Sequence, residues 1–200
     1  MARLLFTSRN FNSLDSLVEN RVANKLTNLI GKPVVFMKQS HSDLVSTVTD
    51  NATTPDADGL VTTNRNIALA VRVADCLPLL LISNESVAAV HVGRKGLLNQ
   101  VALKAVNKMK ELGSNQISGL VGPHICGKCY EVDSQMYEEI VKDHPATGGK
   151  INHLNLFAGL ESQLTGIKLT NLSLCTKENP DYFSYRAGDK TGRQVGVISL

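Results

Sequence analysis

Three side chains able to bind a borderline-soft metal stand at the ends or turns of apolar runs: His41 in "KQSHSDLV", Cys76 in "ADC" and His91 in "VHVGRKG". Two imidazoles and one thiolate suit zinc. Three protein ligands leave the fourth tetrahedral position to water or substrate, the pattern of a catalytic rather than a structural site. Zinc so held brings the pKa of its water toward about 7 and makes it a nucleophile. The three residues are far apart in the chain and form no compact ligand motif, so a second reading stands beside the first. In it Cys76 is a small buried hydrophobe and each histidine is satisfied by its surroundings. A third reading dispenses with metal and makes Cys76 a nucleophile with His91 as its base, as in a cysteine hydrolase. Asp75 sits beside Cys76 but points the opposite way along an extended chain, so it satisfies backbone amides or orients a ligand from behind.

Other stretches invite chemistry. "CGKC" gives Cys126 and Cys129 the spacing of a zinc knuckle or a redox pair. A structural zinc needs a second ligand pair, and Cys175, His124, His144 and His153 offer none at knuckle spacing. The expectation is therefore that Cys126→Ser and Cys129→Ser leave bound zinc unchanged. "HVGRKG", opening a helix, offers backbone amides and Lys95 as an anion seat, and "FSYRAGDKTGR" adds Arg186 and Arg193 as bidentate donors for phosphate or carboxylate. A solvated turn with surface cations reads equally well.

These residues need elements to position them. "LPLLLIS" and "SVAAVHV" are short apolar runs joined by an Asn-Glu-Ser turn, read as a buried hairpin that brings Cys76, before the first strand, beside His91, near the end of the second. Further strands are expected in "VVFM", "LVTT", "IALAVRV", "ISGLVGP", "IKLTNLS" and "QVGVISL", and a polar loop over 46–58. One helix is read from Leu14, Leu17, Val18, Val22, Leu26, Leu29 and Ile30, closed by Gly31 and Pro33. A second is read over 96–113 on Leu98, Val101, Ala102, Ala105, Val106, Met109 and Leu112, closed by Gly113. Helices are also expected at about 133–143 and in "NLFAGLESQL". Runs of strands broken by isolated helices favour an α+β domain of mixed β-sheets over regular βαβ winding.

The 200 residues, 42% hydrophobic and 20% charged, suit one domain, 1–200, of an ordinary soluble globular protein. No apolar run reaches membrane-spanning length. "MARLLFTSRNF" lacks the features of a secretory signal, so the expected compartment is the cytoplasm, where the four cysteines act as thiols or ligands rather than disulfides. A net charge of +3 with 4% aromatics and no Trp provides neither a basic stripe nor a stacking platform, which argues against nucleic acid.

In order along the chain, "QSHS", "ADGLVTTNRNIALAVRVADCLPLLL", "VAAVHVGRKG", "VGPHICGKCYEV", "LCT" and "FSYRAGDKTGR" resemble the motif series of the YfiH-like family, also called polyphenol oxidase, laccase-domain or purine nucleoside phosphorylase proteins. The resemblance implies mixed β-sheets packed together with helices on the outside, layered α/β/β/α. It implies a metal held by His41, Cys76 and His91, zinc with copper as the alternative, and Asp75 beside them as part of the catalytic group. The implied activity is phosphorolysis of adenosine, inosine and methylthioadenosine, with adenosine deamination. The implied partners are therefore a purine nucleoside and phosphate, with no nucleic acid and no membrane, on a monomer or weak homodimer. Lys95, Arg186 and Arg9, the last in a Phe-x-x-Arg match with Phe6, become phosphate or substrate contacts. Relatives linked to editing peptidoglycan precursors keep a hydrolase as the alternative. The older label of copper oxidase needs more histidines than the five present. The sequence departs from the family pattern at Ser42, in place of Gly, at Arg94, in place of Trp, and at Lys95, in place of Arg, which turns a bidentate clamp into a point charge.

Overall fold

The computed structural model describes residues 2–13 and 19–200, with the side chains of 19–22 outside that description. In chain order the elements are β1 (Arg3–Phe6), α1 (Glu19–Ile30), β2 (Val34–Val35), β3 (Val45–Thr47), β4 (Gly59–Thr62), β5 (Ala68–Val73), β6 (Leu77–Ile82), β7 (Val87–Val92), α2 (Arg94–Leu98), α3 (Val101–Glu111), β8 (Ser118–Val121), α4 (Ser134–Asp143), α5 (Leu156–Gln163), β9 (Lys168–Asn171) and β10 (Gln194–Ser199). They form a four-stranded sheet ordered β1-β10-β5-β2 and a six-stranded sheet ordered β3-β4-β7-β6-β8-β9. Both are mixed: β2 runs parallel to β5, β3 to β4 and β8 to β9, and the remaining pairs are antiparallel.

The near-continuous apolar runs follow from burial of both sheet faces. Successive strand residues point to opposite faces. Leu80, Val87 and Ala89 therefore meet Leu69, Val71 and Ile198 between the sheets, while Leu79, Leu81, Ala88 and Val90 turn outward onto Val101, Ala105, Val106 and Met109 of α3 and Leu160 of α5. Beyond the other sheet, Leu26 and Ile30 of α1 cover Ala68, Ala70, Val195 and Val197. The order is helix, sheet, sheet, helix, the expected α+β layering. Truncating a residue such as Leu80, wholly buried between the sheets, costs about 2–5 kcal/mol.

The elements depart from the sequence reading in four places. β1, an edge strand with two exposed residues, and β3, a three-residue strand starting at the polar loop, were not expected. The helix over 96–113 is two helices, because Gln100 adopts φ 61° and turns the chain so that α3 can lie on β4 and β7. At the break the Leu97 carbonyl accepts from the Gln100 amide and from Gln163 Nε2, each at 3.0 Å. On α1, Leu29 is 59% exposed, one position beyond the covered stripe. Leu14, Leu17, Val18 and the Val22 side chain lie outside the described residues.

Candidate active site and metal centre

The β6–β7 hairpin sets the geometry. Its register pairs Leu77 with Val92 and Pro78 with His91, so Cys76, one residue before β6, stands at the same sheet edge as His91. His91 belongs to the face that carries Val87 and Ala89, toward the gap between the sheets. Asp75, at φ 90°, turns the chain from β5 into β6, and His41, at φ 60°, lies in a turn just past the bridge between Lys38 and Asp56. Two non-glycine residues in the left-handed region at one site mark a backbone held there by its surroundings.

One ligand atom from each of His41, Cys76 and His91 lies within 4.8 Å of the others, close enough for a single ion to span, and Cys76 Sγ is 3.8 Å from His41 Nε2. Gly93 permits this approach: a Cβ there would stand 2.8 Å from His41 Cδ2 and 3.1 Å from Cys76 Sγ. Behind the set lies Asp58, fully buried. Its Oδ1 accepts from His91 Nδ1 at 2.7 Å and from the His41 amide at 3.1 Å. Its Oδ2 accepts from the Ser40 amide at 3.1 Å and from the Ser42 amide and hydroxyl at 2.6 and 2.7 Å. Three successive amides cradle the carboxylate as a nest. With Nδ1 donating to Asp58, the Nε2 of His91 is left able to bind a metal, in the carboxylate–histidine arrangement found at metal sites.

The charges reinforce each other. Burial opposes ionisation of Asp58, but His91 and Ser42 outweigh it and hold the carboxyl well below its usual range. Burial likewise works against charge on Cys76 and His91. The charge of His91 and the hydrogen bond to His41 nevertheless draw the thiol down to about 6, while the Cys76 charge and Asp58 raise His91 to about 9. Each shift favours the charged form of its group, a thiolate beside an imidazolium.

Over this set opens a cavity of about 870 Å³, in the size range of small-molecule sites. Cationic Lys38, Arg72, Arg186, Lys190 and Arg193 line it, as do the rings of Tyr130 and Tyr185. Arg186 Nη1 donates to the Glu131 carbonyl at 2.7 Å and its guanidinium lies 4.9 Å from the Tyr130 ring centroid. The wall is thus cationic and partly aromatic.

Not every expected residue takes the expected place. Asp75 lines the cavity, but its carboxylate is occupied, accepting from the Arg186 amide at 2.8 Å and the Thr176 hydroxyl at 2.7 Å. It satisfies a backbone amide, one of the two roles expected of it. The ligand-orienting role belongs to Asp58, which the sequence reading missed although it stands in "ADGLV". Lys95 is exposed on the five-residue α2 and does not line the cavity. Arg9 is also elsewhere: it pairs with both carboxylate oxygens of Asp189, donates to the carbonyls of Pro180 and Tyr182, and lies 4.4 Å from the Phe183 ring centroid. Its donors bind the chain on either side of Tyr185 and Arg186 rather than a substrate anion. Ser42, the departure from glycine, adds a hydroxyl donor to Asp58. Near "CGKC", Cys175 and Glu178 stand close enough to Cys126 and Cys129 for the four to hold one ion, a pairing that knuckle spacing does not show.

The comparisons with known proteins agree with this fold. Residues 12–200 match the profile of the multi-copper polyphenol oxidoreductase laccase family. The chain is 37% identical over 195 residues, 88% of its own length and 79% of the relative's, to purine nucleoside phosphorylase Cgl2154/cg2365 of Corynebacterium glutamicum. It is 39% identical over 181 residues to purine nucleoside phosphorylase SCO2081 of Streptomyces coelicolor, covering 84% of this chain and 75% of that one. The crystal structure of the Bacillus licheniformis hypothetical protein YfiH superposes with a TM-score of 0.85 at 26% identity, covering 100% of this chain and 92% of that one.

Proposed function

The chain belongs to the multi-copper polyphenol oxidoreductase laccase family, and we propose that within it this protein, acting as one domain, is a zinc-dependent purine nucleoside phosphorylase. Adenosine, inosine and methylthioadenosine are its proposed substrates. The observation that carries this reading is a His–Cys–His ligand set beneath a cationic, tyrosine-walled cavity large enough for a nucleoside and phosphate. The names of the two relatives support it.

In phosphorolysis a phosphate oxygen bonds to the anomeric carbon of the ribose as the bond from that carbon to the purine nitrogen breaks. The purine leaves with the electron pair and takes up a proton. Arg186, Lys190, Arg193 and Lys38 seat the phosphate and offset its charge as it nears the sugar. Tyr130 and Tyr185 offer flat faces to the base. Asp75 fixes the Arg186 backbone, and Asp58 fixes His91. His41, Cys76 and His91 would hold a zinc ion, which would supply Lewis acidity. Adenosine deamination in the same cavity is the accompanying activity, in which a water oxygen bonds to the purine C6 as the bond from C6 to the amino nitrogen breaks and ammonia leaves. A multi-copper centre does not fit: among the described residues two of the five histidines share a site, while His124 and His153 each hydrogen-bond a nearby carbonyl.

One observation favours a second reading. Asp58, His91 and Cys76 form a line of carboxylate, imidazole and low-pKa thiol, which is the apparatus of a cysteine hydrolase. Incubation of the purified protein with adenosine and phosphate separates the readings. Adenine with an equal amount of ribose 1-phosphate supports phosphorolysis, and inosine alongside them supports the added deamination. No turnover of any of the three nucleosides by fully metallated protein overturns the proposal. Activity that survives chelation and dies with alkylation of Cys76 selects the hydrolase.

A further inference from the structure

A second set of metal ligands stands away from the cavity. Cys126 and Cys129 close one turn, in which the Cys129 amide donates to the Cys126 carbonyl at 3.0 Å. Cys175 and Glu178, also three residues apart, occupy a second turn, closed by the Asn179 amide donating to the Cys175 carbonyl at 3.0 Å. The turns are fastened face to face: His124 donates its amide to the Leu174 carbonyl and accepts from the Thr176 amide, each at 3.0 Å. The three sulfurs and a Glu178 carboxylate oxygen then lie within 4.8 Å of one another. A tetrahedral zinc with Zn–S bonds of about 2.3 Å has its sulfurs about 3.8 Å apart, so little contraction is needed.

Two features separate this cluster from chance crowding of thiols. The Cys126 amide donates to Cys175 Sγ at 3.4 Å, the kind of hydrogen bond that supports a thiolate ligand. Glu178 faces the thiols, 3.9 Å from Cys126 Sγ, and among the described residues it forms no salt bridge with a lysine or arginine. Gly127 lets the first turn close against the start of α5, where a Cβ would fall 2.8 Å from Asn155 Cβ.

We propose that Cys126, Cys129, Cys175 and Glu178 form a closed, four-ligand structural zinc site. Three thiolates and a carboxylate fill a tetrahedral shell and leave no position for substrate. Metal uptake releases the thiol protons to solvent. The ion staples the two loops that build one wall of the cavity, because Tyr130 follows Cys129 directly and the second loop continues to Tyr185 and Arg186. Asp75 ties both loops back to Cys76: its carbonyl accepts from the Ile125 amide at 2.9 Å and its carboxylate from Thr176 and Arg186. The inference stands apart from the phosphorylase reading, since it concerns neither substrate nor the His41, Cys76 and His91 set.

Metal counting on the purified full chain tests it. The native protein is expected to hold two zinc ions per chain, His91→Ala one, and His91→Ala combined with Cys129→Ser none. X-ray absorption of the His91→Ala protein should show a shell dominated by sulfur at about 2.3 Å. Glu178→Gln, at an exposed position that spares the fold, should weaken zinc retention against a chelator at least about tenfold. A His91→Ala protein that binds no zinc, or whose peptides show Cys126 joined to Cys129 or Cys175 as a disulfide after purification under reductant, overturns the proposal. Unchanged zinc retention in Glu178→Gln overturns the four-ligand shell.

Discussion

The two ligand clusters draw on the same side-chain chemistry but are built differently. His41, Cys76 and His91 are set by sheet edges: the hairpin register places two of them, and a buried carboxylate with an amide nest places the third. Cys126, Cys129, Cys175 and Glu178 are set by two loop turns of equal spacing, with Asp75 fastening both loops to the first cluster. The strand-borne set has three candidate ligands beneath the cationic cavity, whereas the loop-borne set has four, enough to fill a tetrahedral shell. On the proposed reading, the difference is between metal used for chemistry and metal used to hold shape.

Variants that strike one cluster should leave the other intact. Cys76→Ala and His91→Ala remove ligands of the cavity site and should lower turnover by about three orders of magnitude or more, while zinc on the loop cluster is retained. Survival of full activity in either variant would break the comparison. Gly93→Ala forces His41 or Cys76 aside and should cost the cavity metal with little change in thermal unfolding, as read by metal content and calorimetry. Asp58→Asn keeps the shape but loses the charge that orients His91, and should weaken cavity-metal affinity about 10- to 100-fold. An unchanged affinity would remove Asp58 from the site.

A subtler effect appears when metal is stripped. The folded-state thiol of Cys76 lies near 6, below the usual value of about 8.5. Cys76 is then a thiolate above about pH 6, and its alkylation, followed by peptide mass spectrometry, should rise through that pH. Cys129 and Cys175, whose thiols burial pushes up, should react at higher pH. The smallest effect belongs to Lys95→Ala. Because Lys95 lies outside the cavity, the phosphate KM should shift less than about twofold, while Lys190→Ala should raise it about tenfold. The reverse ranking would return the anion seat to the start of α2.

How much of this was legible in the sequence depends on whether a residue's role is local. The apolar runs 77–82 and 87–92 declare strands, and hairpin geometry alone sets Cys76 beside His91. The helix face of α3 could be read from its period, but the break at Gln100 could not, since a left-handed residue there answers to the sheet that α3 must cover. Asp58 was hidden because an acid before a glycine looks like a turn, and only the fold turns three amides and His91 toward it. Arg9 and Lys95 have the right chemistry for an anion. Their fates were decided by Asp189, far along the chain, and by the short α2. Of the loop cluster, Cys126, Cys129 and Cys175 could be weighed as zinc ligands from the sequence, but Glu178 could not, since a glutamate three residues after a cysteine signals nothing until the turns meet.

The most direct test of the central claim is the rate of phosphate-dependent ribose 1-phosphate formation from adenosine by the native protein and by His91→Ala, each with its metal content known. The account predicts that the native protein forms it in step with adenine and that His91→Ala forms none while keeping its loop-cluster zinc. Equal rates in the two proteins, or no ribose 1-phosphate from fully metallated native protein, would contradict it.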